Sequence, residues 1–574
     1  MNNKVGYLLL LLSELLTGPL ARAQAPIWQS VSNIAGAVSP VCCPTLYQNA
    51  IATDASGNVY LAGYYTGTVQ LGSFTLVGPA MSYQAMGFVA KWSLASHSIV
   101  WAKSLAAVGA YAQVGATSLA VSGSNVYVAG TFVGPTLAID ATTLLNPNVD
   151  VYTTNLFLLK LTDMGSTASV AWAQAATGGG SVAAEALAVA GNTLFVAGKA
   201  NGSSVQLGAV TTAAPVGPKL LVAKLLDAGL SSSCAWLKLA TGASTNDTAV
   251  RLALNGSNLY LSGSFALPAT FGATTLVPSA HATGNVYVTK LADGGTTASF
   301  EWARQLTCSG SVVAAGLAAV GNQLYLAANY LGTLTYDNNT QLTANTPGVE
   351  DIGLFKLVDA GSTASFGPAL SIGGAGVDKA TGLLAQGNSL YLLATFNNAS
   401  FRCGALTLVN PNASGSQSVA LARLVDRGTY LAGSWLLGAG GYSAAQGELL
   451  ASNGPTLYVA GRTTLFSSLS PTEYPHYVAT VNDAVSLPLR PADAALAAFT
   501  LSPNPAHGIA TVQIPAAAGP VALTLLDGLG RVARTASTRA GVAYSLDLTG
   551  LATGVYALRV QTGEAIATRQ MVVE

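Results

Sequence analysis

The chain is short of charge. Lys, Arg, Asp and Glu make up 8% of its 574 residues, about a third of the share in an ordinary soluble protein. Twenty-four basic residues balance 24 acidic ones. With no basic run, the chain lacks the electrostatic footprint that a phosphate backbone requires, so nucleic acid is excluded as a partner. Histidine is almost missing: His97, His281, His476 and His507 are the four, and none stands at ligand spacing from a cysteine, so no metal site is expected. The five cysteines (Cys42, Cys43, Cys234, Cys308 and Cys403) are odd in number and follow no disulfide framework. Cys234 and Cys308 lie near tryptophans, where a small apolar residue suits packing. The chain also lacks Gly-x-Ser-x-Gly, His-Glu-x-x-His, a phosphate loop and a calcium loop. That leaves no catalytic or cofactor-binding residue to name and points away from an enzyme. Beyond the first 20 residues no apolar run reaches the ~18–20 residues of a spanning helix, so no membrane span is expected in the mature chain.

Residues 1–25 carry the marks of a secretory signal peptide. Lys4 is the basic end, Tyr7 to Leu16 the apolar centre, and Ala21-Arg22-Ala23 or Ala23-Gln24-Ala25 the small-residue cleavage site. Glu14 interrupts the apolar centre. An uncleaved anchor is disfavoured by the shortness of the run.

What the chain has in abundance is repetition. Gly57-Asn58-Val59-Tyr60-Leu61-Ala62-Gly63 returns six times, with its aromatic at Tyr127, Phe195, Tyr260, Tyr325, Tyr391 and Tyr458. The gaps are 67, 68, 65, 65, 66 and 67 residues, which marks a repeat protein. Each unit holds a Trp strand (Trp28, Trp101, Trp172, Trp236, Trp302, Trp435, with Phe366 in one unit), a short alternating strand, a Gly-Asn or Ser-Asn turn, the Tyr strand, a longer variable segment, and a strand ending in a cation. The cations are Lys91, Lys160, Lys224, Lys290, Lys356 and Arg423, and the seventh unit has Thr480 instead. Turn chemistry and alternation make the central pair a hairpin. The cations are expected to pack their stems and keep their heads in water, and an Asp-x-Gly turn such as Asp227-Ala228-Gly229 often follows them.

Four strands in each of seven units is the count of a seven-bladed β-propeller. The chain starts on a Trp strand and its last unit ends on a cation-type strand. The phase therefore predicts that the Trp28 strand pairs with the strand near 477–481 and closes the last blade, removing open edges. A β-solenoid is the alternative. The repeats over residues 26–482 resemble bacterial β-propeller repeats with the pattern of Lys strand, Trp strand, aliphatic strand and Gly-Asn-x-Tyr-x-x-Gly. That resemblance implies fold and export, not activity. Units of this length exceed the ~40–50 residues of common blades. The excess predicts long loops on one face, including 67–87, 134–155 and 332–353, where binding is expected.

The pattern stops after residue 482. The domain organisation expected is a signal peptide at 1–25, a propeller at 26–484, a Pro-containing linker at 485–498 and a small β-module at 499–574. Strands are expected at 509–514, 521–526, 542–548, 555–561 and 567–573, making a small Ig-like β-sandwich. Leu501-Ser502-Pro503-Asn504-Pro505-Ala506, Asp527-Gly528-Leu529-Gly530-Arg531, Leu546-Asp547-Leu548, Gly554-Val555-Tyr556 and Arg559-Val560, with Arg569 and the terminal Val572-Val573-Glu574, resemble the type A C-terminal sorting domain of the type IX secretion system. An ordinary immunoglobulin-like adhesive module is the alternative. The resemblance implies a Bacteroidota-type cell, the type IX secretion machinery as partner, and a secreted or outer-membrane surface-attached product. Its motif residues are Pro503, Asn504, Pro505, Asp527, Gly528, Gly530, Arg531, Gly554, Tyr556 and Arg559.

The function expected is binding or adhesion to an extracellular carbohydrate or protein, without catalysis and without a cofactor. The alternatives are a carbohydrate-active hydrolase or lyase with its site at the channel, and a structural envelope component. Glu185, Asp247, Glu301, Asp351 and Asp378 are the acids that such a channel site would draw on.

Overall fold

The computed structural model describes residues 26–574 other than 38–44, 80–83, 110, 147–152, 214–216, 242–249, 280–283, 338–339, 411–415, 440–444, 464–475, 484–498, 515–519, 528–531, 540 and 563–564. The expected signal peptide and linker, Cys42, Cys43, Asp247 and His281 thus lie outside the described residues. Every regular element described is a strand or a turn. No helix among the described residues is long and apolar enough to cross a membrane. The chain divides into two units, 1–483 and 484–574.

In the larger unit each repeat forms an antiparallel meander. The second repeat shows the pattern: Gln113–Ser122, Asn125–Val133, Asn155–Asp163 and Ala168–Gly178. The turn between the first two strands holds Gly123 at φ 59°, and Gly191 repeats it at φ 60°; glycine takes this left-handed conformation without steric cost. The Tyr strand lies second and is buried on both faces, which explains its nearly unbroken apolar run. Seven sheets are built on such sets of four long strands. The first strand of each sheet packs against the first strand of the next, from Thr45–Thr53 round to Ala445–Asn453 and back to the start, so the sheets form a closed ring. Seven apolar clusters fill the gaps between neighbouring sheets.

The ring closes as the phase of the repeats requires. Trp28–Ala37 pairs antiparallel with His476–Asn482, with Trp28 opposite Val481 and Val31 opposite Ala479. One sheet is therefore made from both ends of the repeat array.

The variable segments differ from the expected free loops. Part of the segment forms a short hairpin in six of them, such as Thr68–Leu71 with Phe74–Val77 and Thr136–Ile139 with Thr142–Leu145. Each hairpin adds to the outer edge of the preceding sheet: Leu71 lies opposite Ala35, Leu137 opposite Ala107, and Cys403 opposite Ile372. Six sheets thereby have six strands, while the sheet ending at Leu431–Ala439 has four among the described residues. The hairpins form because Val69 and Leu71, or Leu137 and Ile139, alternate inward, and a glycine such as Gly72 (φ 55°) makes the turn.

The repeated cations do not reach water. Lys160 Nζ lies 2.6 Å from Asp227 Oδ2, and both side chains are 5% exposed. Asp227 belongs to the next sheet, at the turn taken in the sequence as Asp-x-Gly. Its carboxylate also accepts from Tyr127 OH at 2.7 Å, Trp172 Nε1 at 2.9 Å and the Gly229 N–H at 3.0 Å. The same arrangement joins Lys91 to Asp163, Lys224 to Asp293, Lys290 to Asp359, Lys356 to Asp426 and Arg423 to Asp483. Variation is tolerated one donor at a time: Phe195 supplies no hydroxyl to Asp293, and Phe366 supplies no indole N–H to Asp426. Where the ring closes, both partners are missing together. Thr480 stands at the cation position opposite Tyr458, and Leu94 stands three residues after Lys91, where the other units have aspartate. There Thr480 Oγ1 meets Ser30 Oγ at 2.7 Å, and Trp28 Nε1 donates to Gly438 O at 3.0 Å.

The smaller unit has two sheets. Thr500–Ser502, Ile509–Gln513 and Ala543–Asp547 form one; Val532–Arg539, Pro520–Leu526, Gly554–Thr562 and Ala565–Val573 form the other. Val512, Leu523, Leu546, Leu558 and Met571 share its core. The five expected strands are present, and Thr500–Ser502 and Val532–Arg539 are additional.

The ion pairs and their absence at the closure are testable in three ways. Asp227→Ala leaves Lys160 buried and unpaired, so it costs about 3–5 kcal/mol, read as a lower urea midpoint. In Asp163, Asp227, Asp293, Asp359 and Asp426, burial alone would raise the carboxyl pKa, but the hydrogen bond from the lysine, together with that from the indole, the phenol or both, outweighs it and holds it below the usual 3.8. These groups bind protons less readily folded than unfolded. Their linked stability is complete above that range and is lost as pH falls through it, a loss that urea titrations between pH 6 and pH 2.5 would register. At the closure, Leu94→Asp and Thr480→Lys should each destabilise the ring, and the double substitution should recover a favourable coupling of about 0.5–3 kcal/mol in a double-mutant cycle.

Candidate functional site

The first strands of the seven sheets surround a central cavity of about 650 Å³. In six of them the pairing register slips by one residue at the same place, leaving Asn49, Thr117, Glu185, Ala315, Thr381 and Glu448 as the extra residues. Val250 holds the equivalent place beside Arg251–Asn255. A bulge takes a side chain out of strand alternation and re-aims it, and all seven residues line the cavity. Several also bond sideways. Asn49 Nδ2 donates to Ala116 O at 3.1 Å, Thr117 Oγ1 to Ala184 O at 2.7 Å, and Thr381 Oγ1 to Gly447 O at 2.7 Å. Glu185 Oε2 accepts from the Val250 N–H at 3.2 Å, and Arg251 Nε donates to Ala315 O at 3.0 Å. Four of the bulge residues, Asn49, Thr117, Glu185 and Thr381, thus tie their sheet to its neighbour at the cavity wall.

Among the described residues, three charged ones line the cavity: Glu185, Arg251 and Glu448. Glu185 lies 2.9 Å from Lys199 Nζ, and Glu448 2.8 Å from Arg462 Nε. Burial raises the Glu448 carboxyl pKa and Arg462 partly offsets it; burial lowers that of Arg251 and Glu185 opposes the shift. Of the five acids expected at a channel, the structure brings Glu185 there. Glu301 is exposed on Ala298–Cys308, accepting from Ser299 Oγ at 2.6 Å. Asp351 and Asp378 are buried between sheets, and Asp247 lies outside the described residues. Glu448, Arg251, Lys199 and Arg462 were not foreseen. The signal was present: in all but one unit the bulge residue stands ten positions before the repeat aromatic, as Glu185 does before Phe195 and Glu448 before Tyr458.

One side of the cavity departs from the repeat. Arg462 lies over the Tyr47 ring at 5.3 Å and donates to Gln446 Oε1 at 2.8 Å. Tyr47 stacks on Tyr64 with ring centroids 4.7 Å apart. Behind them Gln48 Nε2 donates to His476 Nδ1 at 2.8 Å, which requires that nitrogen to be unprotonated. Burial, then the nearby Arg462 charge, lowers the His476 pKa to about 4. Gln48 lines the cavity, and its Oε1 is buried without a partner among the described residues.

The expected sorting-motif residues all belong to the smaller unit. Asn504, between Pro503 and Pro505, accepts from the Val572 N–H at 2.8 Å through Oδ1. Tyr556 OH donates to Ala552 O at 2.8 Å. Gly554, Tyr556 and Arg559 share the strand Gly554–Thr562. Asp527 follows the strand Pro520–Leu526, and Gly528, Gly530 and Arg531 lie outside the described residues. Cys234, Cys308 and Cys403 are free thiols; Cys234 donates to Trp236 O at 3.4 Å, consistent with a packing role.

The buried imidazole gives a direct test. The His476 ring should remain uncharged down to about pH 5, so its ring-proton NMR shifts should stay constant between pH 7.5 and pH 5. Its folded pKa lies below the unfolded value of 6.5, so its contribution to stability is complete above that value and falls as pH drops from there toward 4.

Comparison with known proteins bears on the smaller unit. Residues 500–574 match the family model of the secretion system C-terminal sorting domain. No curated protein matches the chain. Among solved structures, a Trypanosoma rangeli sialidase in complex with 2,3-difluorosialic acid, a covalent intermediate, is 8% identical over 67% of this chain and 82% of that chain, with a TM-score of 0.21. A likeness of that strength carries no argument about fold or activity. The smaller unit is a type IX secretion C-terminal sorting domain, and the protein is secreted or attached at the outer-membrane surface.

Proposed function

We propose that the larger unit is a seven-bladed β-propeller that binds an extracellular carbohydrate or protein without turning it over. On this reading residues 1–25 direct export, 26–484 form the propeller, 485–498 link it to an Ig-like sorting domain of type A, and the cell is of Bacteroidota type. The observation that carries the binding reading is the state of the cavity acids: Glu185 and Glu448 each hold a cation within 3 Å. Paired carboxylates of this kind are poor general acids or bases. Asn49, Thr117 and Thr381 present amide and hydroxyl groups, and Tyr47 with Tyr64 offers an aromatic patch beside them, a combination suited to polar, uncharged ligands. A hydrolase or lyase is the second reading, supported by the two glutamates facing one cavity.

The mature chain, presented to arrayed glycans and cell-envelope polymers with product analysis of each hit, tests both. Binding without product is expected, and it should weaken in Thr117→Val and Thr381→Val. Product formation that disappears in Glu185→Gln or Glu448→Gln would overturn the binding reading. Removing residues 499–574 should leave the protein inside the outer membrane of its native host, detected by cell fractionation, while the full chain reaches the surface or the medium.

A further inference from the structure

Among the described residues, buried aspartates come with cations, with two exceptions. Asp227, Asp359, Asp426 and Asp483 each pair with Lys or Arg. Asp351 and Asp378, at 1% and 0% exposure, have no such partner among the described residues. They belong to neighbouring sheets, Asp351 at the start of Glu350–Asp359 and Asp378 at the start of Asp378–Gln386. Their neighbours Glu350 and Lys379 pair with each other at 3.0 Å, so that lysine is engaged elsewhere.

The repeat makes the departure plain. Asp378 lies opposite Phe396, and the same register position in the five other sheets described there is Leu46, Val114, Val182, Val312 and Ala445; in the remaining unit the spacing puts Asp247 there, outside the described residues. An apolar contact between sheets has been replaced by a carboxylate, and a second carboxylate faces it. A side chain at Gly373 would run into Asp351 Oδ1 and Asp378 Oδ2 at once, so the two oxygens sit on the same side of that glycine. Asp351 Oδ1 is buried and has no hydrogen-bond partner among the described residues.

The surroundings favour ionised carboxylates. Asp378 Oδ2 accepts from the Gly374 N–H at 2.6 Å, and Asn398 Nδ2 contacts both of its oxygens at 3.3 and 3.2 Å. Asp351 Oδ2 accepts from the Asn345 N–H. Hydrogen bonds from N–H groups stabilise the charged form. Burial works against it, raising Asp351 and taking Asp378 to about 7, with the Gly374 N–H opposing and the Asp351 charge adding to the rise. Two carboxylates oriented by N–H donors, one with an open oxygen, call for a positive charge between them. Their all-oxygen chemistry suits a hard cation, and extracellular exposure supplies one.

We propose that Asp351 and Asp378 bind a calcium-class divalent cation that joins the two sheets. The protein supplies two carboxylates, fewer than the three His, Cys, Asp or Glu of a metal cluster, so backbone oxygens and water complete the shell. The Lys356–Asp426 pair already joins these two sheets, and the cation adds a second electrostatic tie across the same gap.

The test uses the full chain, freed of metal with chelator, at pH 7.5. Calcium chloride titrated in a calorimeter should bind with one-to-one stoichiometry and raise the melting midpoint, and Asp351→Asn and Asp378→Asn should each abolish both effects. No calcium binding by the unsubstituted chain overturns the proposal, whether or not the variants fold. Calcium binding unchanged in both variants places the site elsewhere and also overturns it. A chain indifferent to calcium whose melting midpoint falls between pH 6 and pH 8, and whose Asp378→Asn variant loses that fall, would show the pair sharing a proton instead.

Discussion

The ring depends on a buried carboxylate that belongs to one sheet and is neutralised by the cation of the sheet before it. In its full form, as at Asp227, the aspartate does two jobs: one oxygen receives the turn glycine and the indole, and the other receives the ammonium and the phenol. Cutting a turn, removing a cation or shifting one sheet would strand a charge in the interior. A chain with so few charges places six of its acids in this way. Buried pairs of this kind add little net stability over apolar contacts, but they penalise every misaligned arrangement. That suits a molecule made of seven similar sheets, where mispairing between units is the obvious hazard.

The cavity obeys a different logic. There the repeat supplies a fixed device, the bulge, and lets the residue on it vary. Asn, Thr, Glu, Val, Ala, Thr and Glu follow one another round the same position. The bulge is a backbone feature that six sheets share whatever the residue presented, and Asn49, Thr117, Glu185 and Thr381 add hydrogen bonds to the neighbouring sheet. Structural constancy and chemical variety are therefore separated on adjacent atoms, which is the condition for a binding site to diverge on a conserved frame.

Most of the architecture was legible in the sequence because it is periodic. The Tyr strands, the turn glycines and the phase that sends Trp28 to the last sheet all rest on local chemistry repeated many times. The short hairpins were not seen, since four residues of Thr, Val and Leu carry too little pattern, and pairing with another repeat's edge leaves no local mark. The ion pairs were missed because both partners had sufficient local explanations: the lysine as a packed stem with a free head, and the aspartate as a turn residue. The matched loss of Thr480 and Leu94 was the available clue, readable only across units. At the cavity, Glu185 was found as an acid and Glu448 was overlooked, although both occupy the same place relative to the repeat aromatic. The sorting motif was legible for the opposite reason: its residues are specific and need no repetition.

The hairpins that lie along the edge of the preceding sheet make the repeating unit of sequence different from the repeating unit of structure. Six of the sheets are finished only when part of the following repeat has arrived, and the sheet that closes the ring draws on 28–37, 68–77, 445–463 and 476–482 together. No single repeat can be cut out as an independent piece. Any shortened chain bares two strand edges that an intact ring keeps covered. Growth or loss of a unit in such a lineage has to proceed by whole repeats, cut at any phase but always at full length, because only then does each hairpin still find a neighbour's edge to cover.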